Sequence, residues 1–309
     1  MPIELNNINM IDKHKLIRDK LSHIKLIVMD LDGTVLDYKD NYAEDIIELF
    51  RMCSGLSKLN ISSMVATGRT LKGSSHIIDK LIGETNIPII TYNGSLIIHN
   101  KNKTTLDQKF INHSSLKEII SICKEYVDLK ALFYYFEDNI VSHNEYVIGW
   151  TKGEQTKTEF NKQIVKWVTS ISDLIVDNKL PSAILIDITN SLNKEYIINA
   201  TKQVKDISVT SSGNKYIEIR PKDSDKGNAL QIVSNHLNLE RNEILAIGDN
   251  DNDVEMLNYS GVGVCMADAS NYAKESSDFI TNSGAFEGVL EVLRLVKEIN
   301  RLKGMNNYV

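Results

Sequence analysis

Two carboxylates one residue apart are the first candidates for chemistry in this sequence. Asp30 and Asp32 directly follow the apolar run Leu26–Met29. At this separation in an extended chain both side chains point to the same side, so one metal ion or one phosphoryl group could contact both. Two acids so close repel each other unless a cation or a shared proton relieves the repulsion. The competing interpretation is a turn or a helix cap, where Asp and Gly are common.

A second group of acids follows another apolar run, Ile244–Ile247. The stretch Gly248-Asp249-Asn250-Asp251-Asn252-Asp253 places three aspartates within five residues. Carboxylate oxygens are the ligands that hard cations such as Mg²⁺ prefer, usually with phosphate oxygens and water. A calcium-binding EF-hand loop is excluded, because Val254 stands where that loop needs glycine and Ser260 where it needs glutamate.

Two further positions could contact an anion. Thr67 and Gly68 follow a predicted strand, and a hydroxyl beside a glycine lets both a side chain and a backbone N–H approach an anion. An ordinary strand-to-helix turn explains this pair equally well. Lys226 lies at the start of a predicted helix, where the helix dipole disfavours a cation, which indicates a negative group nearby. A solvated surface lysine is the alternative.

The elements that must position these residues alternate between strand and helix. Near-continuous apolar runs are typical of strands buried on both faces of a parallel sheet. They occur at Leu26–Met29, Met64–Ala66, Ile87–Ile90, Ile244–Ile247 and Val262–Cys265. Stretches with helical spacing follow them, so the sequence predicts an α/β fold, a doubly wound Rossmann-like parallel sheet.

The middle of the chain has a different pattern, which predicts an inserted α+β module with an antiparallel sheet. Its predicted strands are Leu132–Phe136, Ala183–Ile188 and Tyr216–Ile219, and the predicted helices are Ser115–Tyr126, Thr158–Val168 and Leu192–Val204. Since the candidate residues at 30–69 and 226–253 must meet at one sheet edge, the residues between them are an insertion. The predicted division is a polar leader at 1–22 with one helix over Asn9–Leu21, a discontinuous core at 23–96 and 221–309, and a cap at 97–220.

Composition narrows the functional class. The chain has 309 residues, 42% hydrophobic and 25% charged, with a formal net charge of -6. These values exclude a disordered chain and a collagen, and the acidic balance argues against nucleic acid or an anionic membrane as the main partner. The three cysteines form neither a CxxC pair nor a disulfide framework. With no apolar run long enough for a membrane span and no signal peptide, we expect a cytoplasmic protein, a monomer or homodimer.

The motifs, in their order along the chain, resemble those of the haloacid dehalogenase superfamily. Within it they resemble the Cof-like phosphatases, which carry a large inserted α+β cap. The resemblance extends from about Lys25 to Leu302. It depends on Asp30-Leu31-Asp32-Gly33-Thr34, Thr67-Gly68-Arg69, Asn93-Gly94, Lys226-Gly227, and Gly248-Asp249 with Asn252-Asp253.

The resemblance implies a role for each matching residue in covalent phosphoryl transfer. Asp30 is expected to attack phosphorus and become an aspartyl phosphate. Asp32 is expected to protonate the leaving oxygen and then to activate water. The phosphoryl group is expected to bind Leu31, Thr67 and the backbone of Gly68.

The remaining matching residues are expected to balance charge or to contact the phosphate and the metal ion. Lys226 is expected to neutralise the phosphate and Asp30. Asp249 is expected to hold Mg²⁺ together with Asp30 and the backbone carbonyl of Asp32. Asn252 is expected to contact the phosphate, and Asp253 to orient Lys226 or the metal shell.

These roles predict a Mg²⁺-dependent phosphatase that acts on small phosphate monoesters such as sugar phosphates or phosphorylated cofactors. A phosphomutase or phosphotransferase on the same fold remains an alternative, as does a non-catalytic metabolite-binding sensor. Dehalogenation is disfavoured, because it needs neither the Asp32 acid nor a Mg²⁺ site.

Two regions bear on specificity. The family usually has a Gly-Asn pair where this chain has Ala267-Asp268, and we assign Asp268 no catalytic role. In the cap, four polar residues are candidates for contacting the leaving group, although each is more simply explained as surface or sheet. They are His143, Glu145, Tyr146 and Lys152.

Overall fold

The protein is described by a computed structural model that covers residues 3–4, 17–37, 43–83, 85–126, 129–138, 143–151, 159–160, 163–168, 170–174, 179–212 and 215–306. The chain divides into two compact units. The first unit comprises Met1–Gly68, Ser75–Asn102 and Asp225–Val309, and the second comprises Arg69–Ser74 and Lys103–Ser224. The division at residues 97 and 220 that the sequence predicts stays a prediction.

The strands, in chain order, are β1 (Ile3–Glu4), β2 (Leu26–Met29), β3 (Ser62–Val65), β4 (Pro88–Thr91), β5 (Leu96–His99), β6 (Thr105–Gln108), β7 (Lys130–Asp138), β8 (His143–Thr151), β9 (Glu159–Phe160), β10 (Gln163–Val168), β11 (Ala183–Asp187), β12 (Ile207–Ser212), β13 (Tyr216–Pro221), β14 (Ile244–Gly248), β15 (Val262–Cys265) and β16 (Phe279–Ile280). A helical segment at 17–21 precedes the numbered helices. These are α1 (Ala43–Ser57), α2 (Leu71–Ile82), α3 (His113–Glu125), α4 (Lys194–Lys202), α5 (Lys226–His236), α6 (Val254–Tyr259), α7 (Asn271–Glu275) and α8 (Ala285–Asn306). Short 3₁₀ turns lie at Tyr92–Gly94, Ile171–Leu174, Arg241–Glu243 and Asp251–Asp253.

The first unit is built on a six-stranded sheet in the order β1-β16-β15-β14-β2-β3. Its paired strands all run parallel. Every residue of β2 and of Ile244–Ile247 in β14 is buried, as expected where helices cover both faces of a parallel sheet. The predicted doubly wound core is therefore confirmed. Because Met29 pairs with Ile247, the residues that follow β2 and β14 emerge at the same edge of the sheet.

Strand β4 continues the core beyond β3 but begins a different pattern. Ala66 forms a single parallel bridge with Ile90, and the Thr67 N–H donates to the Ile90 carbonyl over 2.9 Å. The regular ladder of β4 is antiparallel, however, and its partner is β5. The turn that reverses the chain between them holds Tyr92 and Asn93 at φ of 52° and 51°, which is the left-handed region.

The second unit is built on a seven-stranded sheet in the order β12-β13-β11-β7-β8-β10-β9. Its neighbouring strands pair antiparallel, except β8 and β10, which pair parallel. Phe133, Ile148 and Ile184 on one face join a buried apolar cluster with Leu116 of α3 and Ile197 of α4. The predicted antiparallel α+β module is confirmed, and the aromatic run Phe133-Tyr134-Tyr135-Phe136 is buried within β7.

The helix predicted over Thr158–Val168 is wrong. The described residues of this stretch form β9 and β10 instead. Ile164, Val165 and Trp167 are β-branched or aromatic and fit a pleated surface better than a helix. Pairing with β8, in which Trp167 lies opposite Gly149, decides between the two structures.

Across the described ranges, no helix combines the length and apolar character that crossing a membrane requires. Cys53, Cys123 and Cys265 are free and buried. The sequence likewise predicts no disulfide framework.

Gly149 provides a test of the β8–β10 packing. A Cβ at this position would lie 2.6 Å from Val165 Cγ1 and 2.7 Å from Trp167 Cε3, so Gly149→Ala should lower the free energy of unfolding by about 1–3 kcal/mol. Gly55→Ala in α1 is the matched control, because its Cβ would meet only the flexible tip of Lys297, and alanine favours the helix by about 1 kcal/mol. Urea unfolding followed by circular dichroism measures both variants. A Gly149→Ala variant with the same unfolding midpoint as the wild type would contradict this packing of β8 against β10.

Candidate active site

The candidate residues are positioned by the ends of two central strands and the start of one helix. Asp30 follows β2, and its N–H donates to the Ile247 carbonyl over 3.0 Å, which extends the pairing with β14 by one residue. Asp249 and Asp253 follow β14, and Lys226 is the first residue of α5. All four residues belong to the first unit.

Lys226 lies between two carboxylates and has no exposed surface. Its Nζ donates to Asp30 Oδ1 over 2.5 Å and to Asp253 Oδ1 over 2.6 Å. Burial alone disfavours the ammonium, but Asp253 and Asp30 together raise the pKa of Lys226 above its ordinary value, so the side chain remains charged. A buried ammonium of this kind is tolerated only where carboxylates neutralise it.

Asp253 is held from both of its carboxylate oxygens. While Oδ1 accepts from Lys226, Oδ2 accepts from the N–H groups of Asp249 over 2.9 Å and Asn250 over 3.1 Å. Gly248 permits this approach, because a Cβ there would lie 2.6 Å from Asp253 Cβ. Asp253 therefore fixes the position of Lys226 and the course of the loop after β14.

One oxygen from each of Asp30, Asp249 and Asp253 lies within 4.8 Å of the others. The Thr34 hydroxyl donates to Asp249 Oδ1 over 2.8 Å and orients it. Three carboxylates around one ammonium leave a formal excess of two negative charges, which a divalent cation would balance. The donor set, all hard oxygens at the edge of a sheet, fits such a cation.

The pKa shifts express the same excess of negative charge. Burial, followed by the Asp253 charge, raises the pKa of Asp249 to about 7, although Thr34 and Lys226 oppose the shift. Burial raises the pKa of Asp30 well above its ordinary value, and Lys226 opposes this more strongly than Asp253 and Asp249 add to it. A divalent cation at these oxygens favours the ionised carboxylates.

A second set of polar groups connects three loops of the same unit. The Asn93 N–H donates to the Thr67 carbonyl over 3.0 Å, and Asn252 Nδ2 donates to Asn93 Oδ1 over 3.0 Å. Gly68 is needed at its position, since a Cβ there would lie 2.8 Å from Asn93 Nδ2. Asn93 thus connects Thr67, Gly68 and Asn252, the residues expected to bind phosphate.

Two predicted residues lie outside these contacts. Asp32 is half-buried and forms an isolated β-bridge with Leu36. In the part of the chain that the structure describes, Asp32 is not among the three carboxylates that converge. Leu31 is buried, and its carbonyl accepts from the Leu36 N–H over 2.7 Å. The roles of Asp32 in proton transfer and of Leu31 in phosphate binding stay predictions.

Thr34 and Asn93 are not among the residues for which the sequence predicts a role, although both lie within the matching motifs. Thr34 orients Asp249, and Asn93 joins the loops that carry Thr67 and Asn252. An Asn-Gly pair shortly after a strand is a signal for left-handed backbone, which Asn93 adopts. No comparable signal in the sequence identifies Thr34.

Asp268, the departure from the family pattern, is exposed. Its charge is the last of the contributions that raise the pKa of Asp249. Gly284 allows its position, because a Cβ at Gly284 would lie 2.6 Å from Asp268 Oδ1. The additional acid therefore makes the Asp249 environment more negative.

Of the four candidates for contacting the leaving group, two have contacts within the second unit. The Glu145 carboxylate accepts from the backbone N–H groups of Leu71 over 2.8 Å and Lys72 over 2.7 Å, and so caps the start of α2. The Tyr146 ring stacks on Tyr135, with ring centroids 5.1 Å apart. Lys152 and the His143 side chain lie outside the described part of the structure.

The arrangement in the first unit offers a buried ammonium, a group of convergent carboxylates and nearby hydroxyl and amide groups. This combination can hold a divalent cation and neutralise a phosphoryl dianion, while one carboxylate serves as nucleophile.

Comparison with known proteins relates the chain to one family of hydrolases. A family model described as haloacid dehalogenase-like hydrolase matches residues 27–293. Among curated relatives, the 5-amino-6-(5-phospho-D-ribitylamino)uracil phosphatase YwtE of Bacillus subtilis is 26% identical over 285 residues, which cover 86% of this chain and 96% of the relative.

Two solved structures have a similar fold. A haloacid dehalogenase-like hydrolase from Bacteroides thetaiotaomicron aligns with a TM-score of 0.72 at 23% identity, covering 88% of this chain and 99% of the other. TM0651 from Thermotoga maritima aligns with a TM-score of 0.69 at 26% identity, and the alignment covers 88% of this chain and 97% of the other.

The raised pKa of Asp249 predicts how pH affects the metal-free protein. The ordinary pKa of an aspartate is about 3.9, so the folded state binds a proton more tightly than the unfolded state between pH 4 and 7. This contribution to stability is present below pH 4 and lost as pH rises through about 7. With EDTA present, the free energy of unfolding should fall between pH 5 and 8, and Asp249→Asn should reduce the fall by about 2 kcal/mol after allowance for solvent screening.

Chemical unfolding at the two pH values measures this effect. Asp251→Asn is the matched control, because Asp251 is exposed and lies in the same loop, and it should retain the wild-type fall. The prediction would be contradicted if the free energy of unfolding of Asp249→Asn fell between pH 5 and 8 by as much as that of the wild type.

Proposed function

The chain belongs to the haloacid dehalogenase-like hydrolase family and is a Cof-like phosphatase within it, and on that premise we propose that it hydrolyses small phosphate monoesters with Mg²⁺ through an aspartyl phosphate on Asp30. The observation that carries this proposal is the fully buried Lys226, which donates to Asp30 and Asp253. A carboxylate that attacks a phosphate dianion needs positive charge beside it.

Asp30 and Asp249 are the proposed Mg²⁺ ligands, together with the backbone carbonyl of Asp32. Both carboxylates belong to the convergent set, and the formal excess of two negative charges supports a divalent ion. Bound Mg²⁺ supplies positive charge that offsets the repulsion between the Asp30 carboxylate and the phosphoryl oxygens. Asp253 already accepts three hydrogen bonds, which supports a positioning role for it.

In the first proposed step an Asp30 oxygen attacks phosphorus and the bond from phosphorus to the leaving oxygen breaks. Asp32 gives its proton to that oxygen, so an alcohol leaves and Asp30 becomes an aspartyl phosphate. Thr67, Gly68 and Asn252 hold the phosphoryl group during transfer, and Lys226 balances its charge.

In the second step water attacks phosphorus and gives one proton to Asp32. The bond from phosphorus to the Asp30 oxygen breaks, which restores both carboxyl groups and releases inorganic phosphate. The net reaction consumes one ester and one water and yields one alcohol and one phosphate.

The proposed substrates are phosphorylated sugars, sugar alcohols or cofactors. Support comes from YwtE, whose name specifies a phosphate carried on a ribityl chain. Such substrates are small polar monoesters, in keeping with a site built from charged and amide groups.

Replacement of the two acids tests the mechanism. Asp30→Asn removes the nucleophile and should lower kcat by about 10³-fold or more. Asp32→Asn should lower steady turnover by about 10²- to 10⁴-fold, because no group then protonates the leaving oxygen. Asp251→Asn is the control and should retain wild-type turnover. Phosphate release from a panel of phosphate esters, with Mg²⁺ and no sugar acceptor, is the measurement.

This assay also separates the alternatives. Phosphate release without an acceptor distinguishes hydrolysis from mutase or transferase activity. Wild-type protein that binds a metabolite but hydrolyses no ester in the panel would be a sensor and would overturn the proposal. An Asp32→Asn variant with unaffected turnover would remove Asp32 from the mechanism.

Metal binding gives a readout that does not depend on turnover. At pH 8, saturating Mg²⁺ should raise the Tm of the wild-type protein, because only the folded state brings the carboxylates together. Asp249→Asn should lose most of this increase, whereas Asp32→Asn should retain it, since its backbone carbonyl is unchanged. Differential scanning calorimetry with and without EDTA measures the increase, and an equal rise in Asp249→Asn would exclude Asp249 as a ligand.

A further inference from the structure

A short turn in the first unit packs against three of the loops that carry candidate site residues. It comprises Tyr92–Gly94, between β4 and β5, and all of its residues are buried. Tyr92 and Asn93 both have left-handed backbone, at φ of 52° and 51°, which strains a residue that carries a side chain. Such strain persists only where the surroundings hold it, and it concentrates at functional sites.

The first contact of the turn is with the loop after β3. The Asn93 N–H donates to the Thr67 carbonyl over 3.0 Å. The Asn93 side chain lies against Gly68, where a Cβ would come within 2.8 Å of Asn93 Nδ2 and 3.0 Å of Oδ1. Because Asn93 contacts this loop through both its backbone and its side chain, it fixes where Thr67 and Gly68 lie.

The second contact is with the loop after β14. Asn252 is half-buried, and its Nδ2 donates to Asn93 Oδ1 over 3.0 Å. A side-chain amide nitrogen carries two N–H groups. Among the residues that the structure describes, the Asn252 side chain makes no other hydrogen bond, so one of these N–H groups is left. Asn93 therefore fixes the orientation of the Asn252 amide and leaves it one donor for a ligand.

The third contact is with the start of α5. A Cβ at Gly94, whose φ is 98°, would lie 2.2 Å from the Asp225 carbonyl oxygen, so the backbones of the turn and of Asp225 approach closely. The Asp225 carboxylate accepts from the Asn228 N–H over 2.7 Å and caps the helix that begins with Lys226. The turn thus adjoins the residue that sets the position of Lys226.

We propose that Asn93 is a positioning residue for phosphoryl transfer, and that it acts by orienting the Asn252 amide toward the phosphoryl oxygens. This inference rests on the proposed phosphatase function. A hydrogen bond from an amide to a charged oxygen depends on direction, so an amide that turns freely binds the oxygen less well. Fixing the amide before the substrate arrives removes that loss. Asn93 acts through Asn252 and does not itself contact the phosphoryl group.

Titration calorimetry with inorganic phosphate, in the presence of Mg²⁺, tests this role. Asn93→Gly removes the amide and keeps a residue that adopts left-handed backbone without strain. The Kd for phosphate should rise about 10-fold, because Asn252 is no longer held. Mere loss of folded protein would instead lower the number of binding sites and leave Kd unchanged. Asn60→Gly is the matched control, since Asn60 is exposed and has a φ of 60°, and it should keep the wild-type Kd.

A double-mutant cycle decides whether Asn93 acts through Asn252. Asn252→Ala removes a hydrogen bond to a charged group and should raise the phosphate Kd about 10- to 100-fold. If Asn93 orients Asn252, the double variant should bind phosphate no more weakly than Asn252→Ala alone. Effects of the two substitutions that multiply would overturn the proposal, as would an Asn93→Gly variant with the wild-type Kd.

Magnesium binding separates orientation of one amide from distortion of the whole site. Asn93 is not a member of the convergent carboxylate set, so Mg²⁺ should raise the Tm of Asn93→Gly as much as that of the wild type. Differential scanning calorimetry with and without EDTA measures this rise. A rise that is lost in Asn93→Gly would mean that the substitution disturbs the carboxylates, and would overturn a role confined to Asn252.

The two proposals fail in different ways. If the wild type hydrolyses phosphate esters while Asn93→Gly keeps the wild-type kcat/KM and phosphate Kd, only the role of Asn93 is overturned. If the wild type hydrolyses no ester, the phosphatase proposal fails. The cycle still tests whether Asn93 orients Asn252, because phosphate titration needs no turnover.

Discussion

The charge pairing of Lys226 with Asp30 and Asp253 is the interaction on which the candidate site depends. An ammonium without exposed surface is stable only where carboxylates surround it, and two carboxylates this close are stable only with a cation between them. Each group therefore requires the others. This mutual requirement holds the end of β2, the start of α5 and the loop after β14 in one arrangement.

The same pairing leaves the site incompletely balanced. Asp249 adds a third carboxylate, and burial with neighbouring charge raises its pKa to about 7. The loop geometry keeps the acid in place despite the repulsion, through the Thr34 hydroxyl on one side and the Asp253 bond to its N–H on the other. A site in which oxygens are fixed before a cation arrives needs little rearrangement to bind one, and this preorganisation is what phosphoryl transfer requires.

The two units illustrate different limits on what a sequence pattern predicts. In the first unit, strands buried on both faces leave near-continuous apolar runs such as Leu26–Met29, and β2 has these bounds. In the second unit, half-buried strands share their composition with amphipathic helices. The stretch at 163–168 has enough apolar residues for either structure, and only the available edge of β8 makes it a strand.

The sequence by itself determined the alternating architecture, the inserted module and the identity of the charged residues that meet. Strand burial follows from local composition, and the motifs are identified by their residue types and order, so both can be predicted from the sequence. Only the tertiary structure decided that one oxygen each of Asp30, Asp249 and Asp253 lie within 4.8 Å of one another, that Asp32 is not in this group among the described residues, and that Thr34 and Asn93 support the site. These contacts join residues far apart in the chain, such as Thr34 and Asp249, which are 215 positions apart. Their distances depend on strand register and on the course of the loops, which no local pattern specifies.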